Sequence, residues 1–267
     1  VTISPDELVL PPVDFDTHPA ISLERVSKIH GQAGSAVHAL DQVSLDVAPG
    51  EFLCLLGASG CGKSTLLNLV AGLDRPTSGR LEVRGGRTAL MFQEAALFPW
   101  LTVRGNIELA LKLRKMTKPH REQTIAALLD MVHLRGFEKK RPHELSGGMR
   151  QRVALARALA QQPEILLMDE PFGALDAMTR DLLHEELEKL WSDTGLTVVF
   201  VTHNVREAVR LGDRVILLSS RPGRVAAEFG VEIPRPRRIE SHEVADLSVH
   251  ITEQLREEVR RHGTPGT

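Results

Sequence analysis

The sequence predicts an α/β fold: a mixed, mostly parallel sheet, with an antiparallel β portion ahead of it and an α-helical portion inserted into it. Three observations carry this expectation. A strand, a glycine-rich loop and a helix follow one another without a gap from Phe52 to Val70. Short apolar runs alternate with helical stretches from Gly147 to Leu218, the pattern of parallel strands covered on both faces. Between them, Val103 to about Arg141 repeats apolar residues at roughly helical spacing, with Lys and Arg on the other positions.

Composition sets the outer bounds. With 267 residues, 42% hydrophobic and 25% charged, the chain has ample length for a core. A net charge of -2 supplies no basic field for sequence-independent binding of nucleic acid, so nucleic acid is not an expected partner. Residues 1–19, rich in Pro and acid, read as a flexible extension rather than a signal peptide or a membrane span, and a cytoplasmic location follows as the expectation. The two cysteines, Cys54 and Cys61, fit no zinc spacing and read as reduced thiols. Cys61 lies inside the glycine-rich loop, where an electropositive setting would lower its pKa and make it sensitive to alkylation.

From Ala20 the elements run as follows. Ile21, Leu23 and Val26 alternate as a strand, Gly31 and Gly34 mark a turn, and Leu40, Val43, Leu45 and Val47 alternate again: an antiparallel hairpin. The loop strand and its helix come next, then a turn at Pro76-Thr77-Ser78-Gly79, a short strand at Leu81 to Val83 and another at Thr88 to Phe92. In the inserted region, Ile107, Leu109, Leu111 and Leu113, then Ile125, Leu128, Leu129 and Val132, form the helical repeats. The sheet resumes with helix Gly147 to Ala160, strand Ile165 to Met168, helix Thr179 to Trp191, strand Thr197 to Val201, helix Val205 to Leu211 and strand Val215 to Leu218. Acids and bases interleave from Glu243 to Arg261, predicting a solvated C-terminal helix. The domain reading is therefore an extension over 1–19, a main α/β domain over 20–230 with the helical insertion at about 100–160, and a tail over 231–267.

The loop is Gly57-Ala58-Ser59-Gly60-Cys61-Gly62-Lys63-Ser64-Thr65. Its glycines bring backbone N–H groups close to phosphate oxygens with no Cβ in the way, and the helix starting near Lys63 aims its positive end at the same anion. Lys63 reaches the β and γ phosphates as a point charge, and the Ser64 hydroxyl holds Mg²⁺. The pattern predicts a site for a nucleoside triphosphate with magnesium.

A second glycine motif decides between the machines that share such a loop. Leu145-Ser146-Gly147-Gly148-Met149-Arg150-Gln151-Arg152 opens a helix with Ser146 as N-cap, another positive terminus able to meet a γ-phosphate. Ile165-Leu166-Leu167-Met168-Asp169-Glu170 is an apolar strand ending in two acids, and Val201-Thr202-His203-Asn204 ends another strand. Taken together these stretches resemble an ABC transporter nucleotide-binding subunit, and the resemblance runs from about Ala20 to Val225. It implies a P-loop NTPase core, ATP as substrate and Mg²⁺ as cofactor. It also implies roles for single residues: Asp169 for the metal-bound water, Glu170 as general base, Gln93 as the Q-loop residue near Mg²⁺ or the water, and His203 as the switch histidine at the γ-phosphate. Ser146, Gly147 and Gly148 of one copy would close on the ATP held by another, with Asp176 of Ala174-Leu175-Asp176 at the same boundary, giving a head-to-tail dimer.

One position departs from the family. An aromatic ring, commonly Tyr, stacks on adenine near residue 30, whereas this chain has no Tyr and carries His30 there. His30 reads either as that stacking ring or as an exposed turn residue. The run Glu94 to Leu101, EAALFPWL, is apolar and aromatic beside Gln93. It reads either as a small core against the insertion or as a groove for a permease helix, which is what the resemblance implies for Gln93 to Leu101.

Three stretches, Met91 to Asn106, Glu170 to Arg180 and Arg221-Pro222-Gly223-Arg224, are similar to ATPases of nitrate, sulfonate and taurine importers. Such importers use separate permease subunits and a substrate-binding protein. The alternative is an ABC ATPase driving export, lipoprotein release or cell division with the same catalytic residues.

Overall fold

A computed structural model of the chain describes residues 18–31 and 36–262. The predicted N-terminal extension lies outside the described residues except for its last two positions. The chain divides into two compact units, one containing Gly86–Leu196, the other running up to Gly85 and resuming at Thr197.

The second of these begins with β1 (Ile21–His30) and β2 (Val37–Val47), the expected antiparallel pair, in the register Ile21 to Val47, Leu23 to Leu45 and Val26 to Val43. These six side chains are all buried, so burial of one face sets the register. β3 (Phe52–Gly57) is buried throughout, and α1 (Lys63–Val70) follows the loop. β4 (Ser78–Val83) pairs antiparallel with the far side of β1, giving the order β2-β1-β4. The predicted turn at 76–79 therefore already enters a strand at Ser78. Gly79 is required there: its φ is 86°, and a Cβ would stand 2.3 Å from the Arg25 carbonyl where β1 bulges.

The other unit starts with β5 (Thr88–Met91) and continues through α2 (Val103–Leu113), α3 (Lys118–Met131) and α4 (Gly147–Leu159) to β6 (Ile165–Asp169) and α5 (Ala177–Thr194). β5 and β6 are parallel neighbours, Thr88 opposite Ile165 and Met91 opposite Met168. Ile107, Leu111, Ile125, Leu128 and Val153 form the apolar seam of the three helices. Leu113 does not join it and stands 77% exposed, because a spacing of two residues carries it off the face that Ile107 and Leu111 share.

The chain then returns to the unit that holds β1 to β4 with β7 (Thr197–Val201), α6 (Val205–Leu211), β8 (Arg214–Leu218), β9 (Val225–Gly230) and α7 (His242–His262). β3 lies between β7 and β8 and runs parallel to both, which explains its continuous apolar run. β9 pairs antiparallel with β8 and was not among the predicted strands; its half-buried face, Val225, Ala227 and Phe229, is a stripe of only three residues, and none of them is fully buried.

The C-terminal helix corrects an expectation. α7 is not solvated all round: Val244, Ser248, Ile251 and Glu258 are buried along one face, and the Phe229 ring meets His250 edge-on at 5.7 Å. The segment leading to it is fastened by Arg237, itself buried, which donates to the carbonyls of Val209, Gly212, Val231 and Ile233. A guanidinium suits the C-terminal end of α6, where carbonyls lack helical partners. Among the described residues no helix is long and apolar enough to cross a membrane.

Candidate nucleotide-binding and hydrolysis site

Each unit presents chemistry at the C-terminal ends of its strands, where open α/β sheets bind ligands. In the unit built on β3, the glycine-rich loop leaves after Gly57. Gly57, Gly60 and Gly62 have φ of 156°, 75° and 105°, which favours glycine at all three. A Cβ at Gly62 would lie 2.7 Å from both the Ala39 carbonyl and Leu40 Cδ2, so the loop is packed tightly on β2. Gly62 caps α1 with no side chain bonded to the helix end, leaving the first-turn N–H groups for an anion. Lys63 is buried, and its ammonium donates to the carbonyls of Gly57, at 2.8 Å, and Ala58, at 3.0 Å. These bonds hold Nζ over the mouth of the loop. Ser64 is exposed in the first turn.

Cys61 is buried, at 1% exposure, and burial pushes its thiol pKa up, against the opposing pull of Lys63. The expected low-pKa, alkylation-sensitive thiol is thereby corrected: desolvation outweighs the cation. Cys54, inside β3, is pushed well above the ordinary thiol value for the same reason.

His203 leaves β7, the parallel neighbour of β3, and is exposed. Its placement depends on residues that sequence reasoning did not single out. The Thr202 hydroxyl donates to the buried Glu207 carboxylate and accepts from Asn204 N at 3.0 Å, while the Asn204 side chain caps α6 by accepting from the Arg206 and Glu207 amides. His203 therefore sits between two anchored residues. His30 is exposed at the end of β1.

In the other unit, β5 and β6 deliver Gln93, Asp169 and Glu170. Asp169 is buried at the end of its strand, and Gln93 Nε2 donates to the Glu170 carboxylate at 3.4 Å. Glu170 has φ of 46°, an uncommon backbone state for a non-glycine residue and a frequent one at functional turns. The Gln93 carbonyl accepts a hydrogen bond from Gln151 of α4, so the helix behind the Ser146 motif touches the Gln93 loop directly.

Ser146 accepts from Met149 N at 3.2 Å, the predicted cap of α4. Gly148 packs against the following turn, where a Cβ would meet Leu175 Cδ2 at 2.7 Å. That turn is fixed by Arg180, which donates to the Phe172 and Leu175 carbonyls. Asp176 caps α5, accepting from the Thr179 amide and hydroxyl, and the amide bond holds its carboxyl below the usual carboxylate range.

The aromatic run beside Gln93 is held from within. Phe98 and Trp100 face each other with ring centroids 5.5 Å apart, and the Arg157 guanidinium lies over Phe98 at 5.7 Å while donating to the Ala95 and Ala96 carbonyls. Asn106, fully buried, accepts from Phe98 N and donates to the carbonyls of Phe98, Leu101 and Thr102. Phe98 is half-buried by these contacts, whereas Trp100 remains 68% exposed and Phe92 42% exposed.

A family model described as ABC transporter matches residues 40–173. An uncharacterized ABC transporter ATP-binding protein of Methanocaldococcus jannaschii is 46% identical over 246 residues, covering 90% of this chain and 92% of that one. This chain belongs to the ABC transporter ATP-binding proteins.

Among other members of the family, a protein of Synechocystis named for nitrate import (NrtD) is 48% identical over 211 residues, covering 76% of this chain and 79% of that one. One of Roseobacter denitrificans named for taurine import (TauB) is 48% identical over 203 residues, covering 73% and 76%. Two solved structures of the cassette MJ0796 cover 80% of this chain and 100% of their own. One is described as dimeric, with TM-score 0.75 and 36% identity; the other is a dimeric post-hydrolysis state bound to ADP and Pi, with TM-score 0.74 and 35% identity. The fold is thus that of the P-loop NTPases, and the chain is an ABC-type ATPase.

The residues missed by sequence reasoning in this ABC ATPase are those whose work depends on tertiary contact. Gln151 had a signal, its place inside the Ser146 motif, and Asn106 and Arg180 lie at the ends of the stretches Met91 to Asn106 and Glu170 to Arg180; Arg157 and Glu207 had none beyond polar character in a helix.

Proposed function

We propose that this chain is the ATP-hydrolysing subunit of an importer for a small anion such as nitrate, a sulfonate or taurine, working through permease subunits on separate chains and a substrate-binding protein. The observation that carries the reading is its 48% identity to proteins named for nitrate and for taurine import. Its place is then the cytoplasmic face of the membrane, as a peripheral subunit.

In this reading the loop Gly57–Thr65 takes the triphosphate, with Lys63 on the β and γ phosphates and the first-turn amides of α1 facing the anion. Ser64 and Asp169 offer the hard oxygen donors that Mg²⁺ prefers, and Gln93 stands as a further donor. The chemistry that Mg²⁺ held by these residues would supply is neutralisation of charge on the phosphate oxygens. Glu170 accepts the proton of the attacking water, Gln93 Nε2 orients that carboxylate, and His203 donates toward the γ-phosphate. Ser146, Gly147 and Gly148, with Asp176, complete the site of a second copy, so that binding closes a head-to-tail dimer and hydrolysis opens it.

The exposed Trp100, on a loop stapled by Asn106 and Arg157, is the permease contact in this reading. Trp100→Glu is expected to leave basal ATP hydrolysis intact while abolishing co-purification with the permease subunits. Undiminished co-purification overturns the docking assignment. For the substrate, the assembled complex with its binding protein is reconstituted in vesicles, and ATP hydrolysis is followed with nitrate, taurine and alkanesulfonates added in turn. Stimulation by none of them overturns the small-anion reading.

A further inference from the structure

The turn between β8 and β9, Ser219 to Arg224, carries the Arg221-Pro222-Gly223-Arg224 stretch, which has no role in the site described above, yet it lies against the phosphate loop. Gly223 N donates to the Ala39 carbonyl and Asp41 N donates to the Gly223 carbonyl, each at 2.9 Å, so the turn is laced to β2. Arg224 pairs with the Asp41 carboxylate and reinforces the lacing. The Ser219 hydroxyl donates to the Pro222 carbonyl at 2.9 Å and accepts from Arg224 N at 2.9 Å, which fixes the turn's own shape. Gly223 comes so near the loop that a Cβ would stand 2.1 Å from the Cys61 carbonyl, a distance no side chain could occupy.

On this rigid turn Arg221 projects its guanidinium toward the loop, where Nε donates to the Gly60 carbonyl at 3.4 Å. The N–H of the same peptide unit, on Cys61, donates to the Ala58 carbonyl at 3.2 Å. The Gly60–Cys61 peptide is therefore held at both ends. Gly60, at φ 75°, has the backbone freedom to let that peptide rotate, and rotation would break both bonds.

We propose that Arg221 is a positioning residue for nucleotide binding, pinning the Gly60–Cys61 peptide so that the phosphate loop is preformed before the triphosphate arrives. The inference rests on the reading of Gly57–Thr65 as the triphosphate site. Preorganisation of this kind lowers the ordering cost of binding and leaves the chemical step alone. Removing the pin therefore weakens affinity without slowing turnover at saturation.

The test compares the full chain with its Arg221→Ala, Arg221→Lys and Lys63→Ala variants in steady-state ATP hydrolysis. Nucleotide-free samples are also labelled at Cys61 with a small maleimide and read by mass spectrometry, with the core thiol of Cys54 as internal control. For Arg221→Ala the ATP KM is expected to rise about three- to tenfold, the range of a hydrogen bond's net worth, with kcat within about twofold of the parent. Cys61 labelling is expected to accelerate while Cys54 stays unmodified, and Arg221→Lys to fall between the parent and Arg221→Ala on both readouts. An unchanged KM overturns the proposal. So does a raised KM with unchanged Cys61 labelling, since that result assigns the effect to charge attraction alone. Lys63→Ala separates the two levels: if it keeps its nucleotide affinity, the triphosphate reading of the loop itself is wrong, whereas if it loses affinity and Arg221→Ala does not, only the pin is.

Discussion

Asn106 offers the cleanest measure of how the aromatic loop is held, because it is neutral, fully buried and bonded to four backbone groups of residues 98–102. Replacing it by Leu keeps the volume and removes every bond. The Phe98 N–H then loses its acceptor at 2.9 Å. Leaving that donor unsatisfied costs about 1–3 kcal/mol, and the three longer amide contacts add about 1 kcal/mol, for a total of about 2–4 kcal/mol. The assay is urea unfolding of the parent, Asn106→Leu and Asn106→Ala, read as a shift in midpoint at constant slope. Asn106→Ala is expected to lose somewhat more than Asn106→Leu, by the cavity it leaves. A loss below about 1 kcal/mol for Asn106→Leu refutes the reasoning, because it means the carbonyls and the Phe98 amide find other partners at little cost. If the loop is loosened as argued, the same variant also retains less permease than the parent in co-purification.

Two further outcomes are expected. Glu170→Gln, which keeps the hydrogen-bonding shape but removes the base, should bind ATP normally, lose at least about a hundredfold in kcat and accumulate as an ATP-bound dimer on size-exclusion chromatography. Undiminished hydrolysis removes Glu170 from the base's role. The native Cys61 thiol should react slowly near neutral pH and show a pH–rate midpoint above that of an unperturbed cysteine, because burial disfavours the thiolate and the reactive form gains only as pH rises through the raised pKa. A midpoint below the ordinary thiol value contradicts the burial argument.

What the sequence made legible follows from what burial does locally. β3 and β6 are buried at every residue, so an unbroken apolar run announced each, and the phosphate loop and the paired acids marked their ends. β9 escaped because its half-buried stripe, Val225, Ala227 and Phe229, is short and holds no fully buried residue. α7 was visible as a helix, but its buried face is part polar, Ser248 and Glu258 beside Val244 and Ile251, and so read as solvent. The environment of Cys61 was inverted for a related reason. The nearby cation could be read from Lys63, whereas the packing of Gly57 and Gly223 against Cys61 exists only after folding. Gln151 lay in plain sight within a recognised motif, and only its bond to the Gln93 carbonyl shows what it touches.

That bond has a mechanical meaning when taken with Arg157. α4 grips the segment after β5 at two stations, Gln151 on Gln93 and Arg157 on Ala95 and Ala96, six residues apart or about 9 Å along the helix axis. A rod clamped at two points cannot swivel about either one. Phe98 and Trp100, on the gripped segment, and Ser146, at the leading end of the helix, therefore belong to one braced piece of structure. The exposed tryptophan and the Ser-Gly-Gly terminus are two ends of one frame.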